Sequence, residues 1–91
     1  MKLVFHAAAL SDLQSIYDYI ARENPGIASA VLARIKASLD RLIEFPKSGR
    51  AGKVRGTYEA VIPGLPYIAV YELTVEQIEI LAVFHAAQDR S

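Results

Sequence analysis

The spacing of apolar residues in the first half of the chain predicts a short strand followed by an amphipathic helix. Residues 2–6 alternate weakly between apolar and polar side chains, which favours a strand. The period then lengthens, because Leu10, Leu13 and Ile16 recur at spacings of three and form one apolar stripe. The pattern therefore predicts a helix that ends near Glu23.

A strong helix breaker, Asn24-Pro25-Gly26, separates this helix from a second one. Asn24 can cap the N-terminus of the second helix, and Pro25 suits its first turn. The apolar stripe continues over residues 25–44, and Pro46 cannot extend a helix further. Two amphipathic helices joined by a tight break predict a helical hairpin.

The second half of the chain has the composition and alternation of strands. Residues 57–62, 67–73 and 78–85 are rich in β-branched and aromatic side chains, and Pro63 begins a turn between the first two. Short links between consecutive strands predict antiparallel neighbours. We therefore expect one α+β domain over residues 1–91, with β-α-α-β-β-β order and the helical hairpin packed on one face of an antiparallel sheet. The uncovered sheet face is the expected working surface.

Composition narrows the class of protein further. The chain has 91 residues, of which 53% are hydrophobic, and it contains no Cys. Neither disulfides nor thiolate zinc sites can stabilise the fold, and no apolar run is long enough to span a membrane, so we expect a cytoplasmic protein. The two His have no other ligand-type residues nearby, so we expect no metal site. The sequence contains no nucleotide-binding fingerprint, so we expect no cofactor. The surplus of apolar residues indicates a surface that meets a partner.

Charge is distributed unevenly along this neutral chain, which has 10 Lys and Arg against 10 Asp and Glu. No acidic residue lies between Glu44 and Glu59, and three glycines make the segment between them flexible. We call residues 45–58 the basic loop. It is expected to contact a polyanionic or acidic partner, although a merely solvated loop remains an alternative. Its four cations, without a local counter-charge, are Lys47, Arg50, Lys53 and Arg55.

Two side-chain types in the strand region are candidates for chemistry. His85 ends the last strand, where it can act as a general acid or base or can simply cap the strand. Tyr67 and Tyr71 lie on the same face of one strand, because they are four residues apart. They are candidates either for the core or for stacking on bases. His6 ends the first strand and is interpreted as structural.

The ordered set of segments resembles the RelE/ParE superfamily of bacterial toxins from type II toxin–antitoxin systems. That resemblance implies the predicted fold, a cognate antitoxin that wraps the toxin, and a toxin–antitoxin hetero-oligomer. It also implies one of two activities: poisoning of DNA gyrase, as in ParE-like members, or cleavage of messenger RNA on the ribosome, as in RelE-like members. The segments are AAALSDLQSIYDYIARENP, LIEFPKSGR, VRGT, VIPGLPYIAVY and IEILAVFHAAQDR.

The resemblance also assigns expected roles to individual residues. Tyr58 stands where relatives often carry Arg, so the sheet face has one positive charge fewer. The transition state of RNA cleavage carries extra negative charge and needs such cations nearby. We therefore favour a ParE-like gyrase poison, with a RelE-like nuclease as the alternative and a partner that has lost toxicity as a third hypothesis. For a nuclease, the expected catalytic residues are Arg50, Arg55, Tyr71 and His85. Contacts to the target or to nucleic acid are expected from Lys47, Arg50, Lys53, Arg55 and Arg90.

Overall fold

Two helices pack on one face of a five-stranded sheet, as the sequence predicts for an α+β fold. The computed structural model describes residues 1–88. Arg90, one of the predicted contact residues, lies outside the described residues. The chain begins with β1 and the helical hairpin and continues through a one-turn 3₁₀ helix into four strands. The elements are β1 (Lys2–Phe5), α1 (Ala7–Ala21), α2 (Pro25–Asp40), the 3₁₀ helix (Arg41–Ile43), β2 (Arg50–Ala51), β3 (Thr57–Val61), β4 (Tyr67–Leu73) and β5 (Gln77–His85).

The sheet is mixed, so the prediction of a wholly antiparallel sheet was wrong in one respect. The strand order is β1-β5-β4-β3-β2, with β1 parallel to β5 and every other pair antiparallel. The rule that short links give antiparallel neighbours holds for β3, β4 and β5. It does not apply to β1, because the helical hairpin connects β1 to the rest of the sheet. The short strand β2 was also missed, since it lies within the basic loop.

The hairpin is built as the local sequence predicts. The Asn24 side chain accepts a hydrogen bond from the Ile27 backbone N–H at 3.0 Å, and Pro25 occupies the first turn of α2. The α-helical part ends at Asp40, four residues before the predicted end. The chain tightens there into the 3₁₀ turn, after which the backbone N–H of Glu44 donates to the Arg41 carbonyl three residues earlier.

The core lies between the helices and one face of the sheet. Ile35 and Leu39 of α2 are almost fully buried against Tyr71, Ile78 and Ile80 of the central strands. A single layer of such contacts is the main source of stability in a chain of this size. None of the helices in residues 1–88 is long and apolar enough to cross a membrane.

A β-bulge at Leu81 reverses which side chains of β5 face the helices. Tyr71 pairs with Ile80, whereas the preceding residue Val70 pairs with Ala82, so β5 carries one extra residue at this point. Even-numbered residues face the helices before the bulge and odd-numbered residues face them after it. His85 therefore points to the helix-covered side of the sheet, where it pairs across the strands with Tyr67.

Replacing Asn24 by Ala should destabilise the protein by about 1 kcal/mol, because the Ile27 N–H loses its side-chain acceptor. Urea unfolding followed by circular dichroism measures the change. Asn24→Asp is the matched control, since it keeps an acceptor at the same position, and its free energy of unfolding should stay close to that of the parent chain. Equal destabilisation by both substitutions would show that the cap does not stabilise α2.

Candidate functional site

The basic loop is a folded segment that lies against the edge of the sheet, and not the flexible segment that its glycines predict. Arg50 and Ala51 pair with β3, and the Gly52 N–H donates to the Thr57 carbonyl at 2.8 Å. The turn back into β3 has Gly56 at a φ of 88°, a conformation that side chains disfavour. Lys53 and Arg55 lie in this turn, and both are exposed.

Tyr71 holds the start of the basic loop in place. Its side chain is fully buried in β4, and its hydroxyl donates to the Pro46 carbonyl at 2.8 Å and accepts from the Gly49 N–H at 3.0 Å. A Cβ at position 49 would lie 2.6 Å from the same hydroxyl oxygen, so only glycine fits. Tyr71 also stacks on Tyr58, with ring centroids 5.3 Å apart. This tyrosine acts as a structural pin between the helix exit and the central sheet.

Burial raises the pKa of the Tyr71 phenol above its ordinary value of 10.0. The Gly49 hydrogen bond opposes this shift, the nearby Tyr58 adds to it, and Ser48 opposes it slightly. A general acid or base needs a group that exchanges its proton near working pH and reaches the substrate. The Tyr71 hydroxyl is enclosed and already bonded on both sides, so the geometry does not favour the catalytic role, which stays a prediction.

Arg50 has a counter-charge, contrary to the expectation that the loop cations lack one. Its Nε and Nη2 atoms each lie 3.0 Å from Oε1 of Glu59, the neighbour across β2 and β3. The Glu59 side chain is only 10% exposed, whereas that of Arg50 is 59% exposed. Glu59 was missed in the sequence, since only the cross-strand register brings it beside Arg50. Within residues 1–88, no ion pair involves Lys47 or Arg55.

His85 lies at the exposed end of β5, and backbone contacts fix its ring. Its Nδ1 accepts a hydrogen bond from the Ala87 N–H at 3.0 Å, and its ring meets Tyr67 edge to face at 5.6 Å. Because Nδ1 is the acceptor, the neutral ring carries its proton on Nε2. In this arrangement the neutral ring offers Nε2–H as a donor, and the catalytic role of His85 stays a prediction.

The structure does not bring the predicted catalytic residues together. Arg50 and His85 belong to opposite faces of the sheet, because Arg50 shares its face with Glu59 and His85 shares its face with Tyr67. Arg55 and His85 also lie at opposite ends. Arg55 lies just before Thr57, which pairs with Glu72 of β4, whereas His85 pairs with Tyr67 of the same strand. Glu72 and Tyr67 are five residues apart, which is roughly 17 Å along β4.

The uncovered face of the sheet, which the sequence predicts as the working surface, carries charges of both signs. Lys2 lies on it, because it pairs with Gln77 of β5, and so do three glutamates. Glu72 and Glu79 are direct cross-strand neighbours on it, and Glu59 belongs to the same face. His6 contacts Glu79 at 2.8 Å, and Arg50 neutralises Glu59. Like charges on neighbouring strands repel each other and would repel a nucleic-acid backbone. Within the described chain, no group of three or more ligand-type side chains is placed to hold a metal ion.

The geometry can now be compared with known proteins. A family model described as the ParE toxin of the type II toxin-antitoxin system parDE matches residues 3–90. The chain belongs to this family. The RelE/ParE resemblance inferred from the sequence segments is therefore confirmed, and the protein is a toxin of the type II toxin–antitoxin class.

Individual relatives and solved structures agree with this assignment. The chain is 42% identical over 80 residues to Y4kP, an inferred toxin of Sinorhizobium fredii, covering 88% of this chain and 82% of the relative. It is 32% identical over 87 residues to the toxin RelE2 of Caulobacter vibrioides, covering 96% and 97%. The chromosomal ParDE system from P. aeruginosa superimposes with a TM-score of 0.84 at 25% identity, covering 93% of this chain and 95% of that one. The isolated E. coli RelE toxin shares the fold, with a TM-score of 0.66 at 20% identity, covering 97% and 86%.

Replacing Tyr71 by Phe should destabilise the protein by about 1 to 3 kcal/mol, because the Gly49 N–H and the Pro46 carbonyl both lose their partner. Urea unfolding gives the energy, and hydrogen exchange at Gly49 should accelerate. Tyr58→Phe is the matched control, since this ring stacks on Tyr71 but its hydroxyl makes no hydrogen bond found in residues 1–88. Equal losses in the two variants would contradict the role of the Tyr71 hydroxyl as a pin.

Stability should also fall at alkaline pH through Tyr71. Unfolding returns its pKa to 10.0, so the folded state binds the phenolic proton more tightly than the unfolded state. The resulting stabilisation is complete below the unfolded pKa and is lost as pH rises through the raised pKa of the folded state. As pH rises above the unfolded pKa of 10.0, the free energy of unfolding should fall more steeply in the parent chain than in Tyr71→Phe. Identical slopes in urea unfolding at each pH would exclude this contribution.

Proposed function

We propose that this toxin inhibits growth by poisoning DNA gyrase and that a cognate antitoxin neutralises it in the cytoplasm. The observation that carries the proposal is the dispersal of the residues that RNA cleavage would require. His85 and Arg50 belong to opposite sheet faces, the Tyr71 hydroxyl is enclosed, and Arg50 is neutralised by Glu59. Cleavage needs an acid, a base and cations around one phosphate. A toxin that acts by binding requires only a shaped and charged surface.

The comparisons give further support to this proposal. The TM-score to the P. aeruginosa ParDE system is 0.84, against 0.66 for isolated E. coli RelE. Both the ParDE system and the intact E. coli RelBE complex pair a toxin with an antitoxin, which supports a toxin–antitoxin hetero-oligomer for this chain. Large apolar side chains stay exposed on both helices of the hairpin, including Leu10 and Ile27, and an antitoxin segment can cover them.

The neighbouring glutamates of the uncovered sheet face restrict where the target can dock. Repulsion from Glu72 and Glu79 disfavours a nucleic-acid backbone there. Lys47 and Arg55 are exposed and have no ion-pair partner within residues 1–88, so they remain available to an acidic protein surface. On this proposal the basic loop contacts the gyrase protein and not its DNA.

The purified toxin should inhibit supercoiling by gyrase in a dose-dependent manner and should leave cleaved DNA behind. In a parallel reaction with translating ribosomes, it should leave messenger RNA intact. Message cleavage within the reading frame, with gyrase unaffected, would overturn the proposal in favour of the RelE-like alternative. In that case His85→Ala or Arg55→Ala should lower cleavage by at least about 100-fold. Growth that continues on induction without antitoxin would overturn both.

Arg55→Glu should weaken gyrase inhibition by about tenfold, because it reverses a charge at the proposed contact. Arg22→Glu is the matched control, with the same change of charge at an exposed position just after α1, at the other end of the sheet. The concentration that halves supercoiling activity measures both effects. Equal weakening by the two variants would show that net charge, and not the basic loop, governs inhibition.

A further inference from the structure

A cavity of about 430 Å³ opens between α1 and the end of β5, on the helix-covered side of the sheet. It arises because β1 pairs with β5 only as far as Ile80. Beyond that residue, α1 and not a strand lies along the free edge of β5. We call it the Asp12 cavity, after the carboxylate of α1 that lies in its wall.

The carboxylate of Asp12 has no cationic partner within residues 1–88. Its Oδ2 accepts a hydrogen bond from the Val83 N–H at 2.9 Å in a partly buried position, which replaces the strand pairing that β1 would have provided. A carboxylate has acceptor sites for about four hydrogen bonds, so most of its capacity is left. No ion pair of the described residues involves Asp12, and the described lining contains neither Lys nor Arg.

Four aromatic side chains share the wall of the Asp12 cavity with this carboxylate: Tyr19, Tyr67, Phe84 and His85. Tyr67 and His85 meet edge to face with centroids 5.6 Å apart, and Tyr19 of α1 is 71% exposed. The bond from the Ala87 N–H to Nδ1 fixes the His85 ring. Aromatic faces attract cations, and tyrosine rings beside a carboxylate attract them more strongly still.

We propose that the Asp12 cavity binds the guanidinium group of an arginine from a partner protein. Asp12 supplies the counter-charge through its remaining acceptor sites, and Tyr19 and Tyr67 supply faces on which a planar guanidinium stacks. An anionic group would be repelled by Asp12, and an apolar group would leave the carboxylate without a counter-charge. The proposal holds whether or not gyrase is the target, since it concerns the chemistry of the cavity alone.

Titration of the full ¹⁵N-labelled chain with the peptide acetyl-Gly-Arg-Gly-amide tests the proposal. The matched probe replaces arginine by citrulline, which has nearly the same shape without the charge. We expect a Kd on the order of 1 mM for the arginine peptide and at least about tenfold weaker binding of the citrulline peptide. The largest amide shifts should occur at Val83 and His85. Absent binding, equal affinity for the two peptides, or shifts elsewhere would overturn the proposal.

Asp12→Asn keeps an oxygen acceptor for the Val83 N–H but removes the charge, so it should weaken arginine binding about tenfold. Asp18→Asn is the matched control on the same helix, because the Asp18 carboxylate accepts from Gln14 and lies outside the cavity lining. Tyr19→Leu, at an exposed position where folding is not at risk, should also weaken binding. Affinity unchanged in both Asp12→Asn and Tyr19→Leu would overturn the site.

The sequence places an arginine of the chain itself, Arg90, two residues after Gln88 of the cavity wall. Arg90→Gln distinguishes this occupant from a partner. On our proposal, the variant binds the arginine peptide as the parent chain does. An affinity that rises about tenfold would assign the cavity to the chain's own arginine and would overturn the assignment to a partner.

Discussion

The buried hydroxyl of Tyr71 joins the two layers of this fold. It donates to the Pro46 carbonyl and accepts from the Gly49 N–H, and it thereby ties the exit of the helical hairpin to the central strand β4. The path of the following residues depends on that tie. From this anchor the chain runs into β2, where Arg50 reaches Glu59 across the ladder. The Tyr71 hydroxyl thus positions the basic loop, and only a glycine at position 49 leaves room for this hydroxyl.

Charged side chains are distributed unevenly over the surface of the molecule. Glu59 neutralises Arg50, and Glu72 and Glu79 lie side by side on the uncovered sheet face. In the basic loop, Lys47 and Arg55 have no ion pair within residues 1–88. Such a distribution suits selective contact with an acidic protein surface better than the cradling of a phosphate backbone. Within residues 1–88, Arg50 and His85, which cleavage would need around one reacting group, lie on opposite faces of the sheet. The type II toxin class is established by the family match, and the charge pattern bears on which target the toxin meets.

The β-bulge at Leu81 determines which face of the sheet His85 lies on. It turns His85 towards the helix layer and brings it against Tyr67, away from the loop arginines. The early end of β1 leaves the adjoining edge of β5 to α1, whose Asp12 caps the Val83 N–H. A carboxylate and four aromatic side chains are therefore gathered at the end of the sheet opposite the basic loop. The two regions that we propose as contact sites therefore differ in chemistry, since one is cationic and the other favours a cation.

The sequence by itself determined the features that depend on neighbouring residues. The helical stripes, the Asn24 cap, the strand segments and the ordered motifs of the RelE/ParE superfamily were all predictable, because residues a few positions apart decide periodicity, capping and turns. Only the tertiary structure decided the parallel pairing of β1 with β5, the neutralisation of Arg50 by Glu59 and the face on which His85 lies. Each of these depends on strand register between distant segments, and one extra residue at Leu81 reverses the alternation that a sequence pattern assumes.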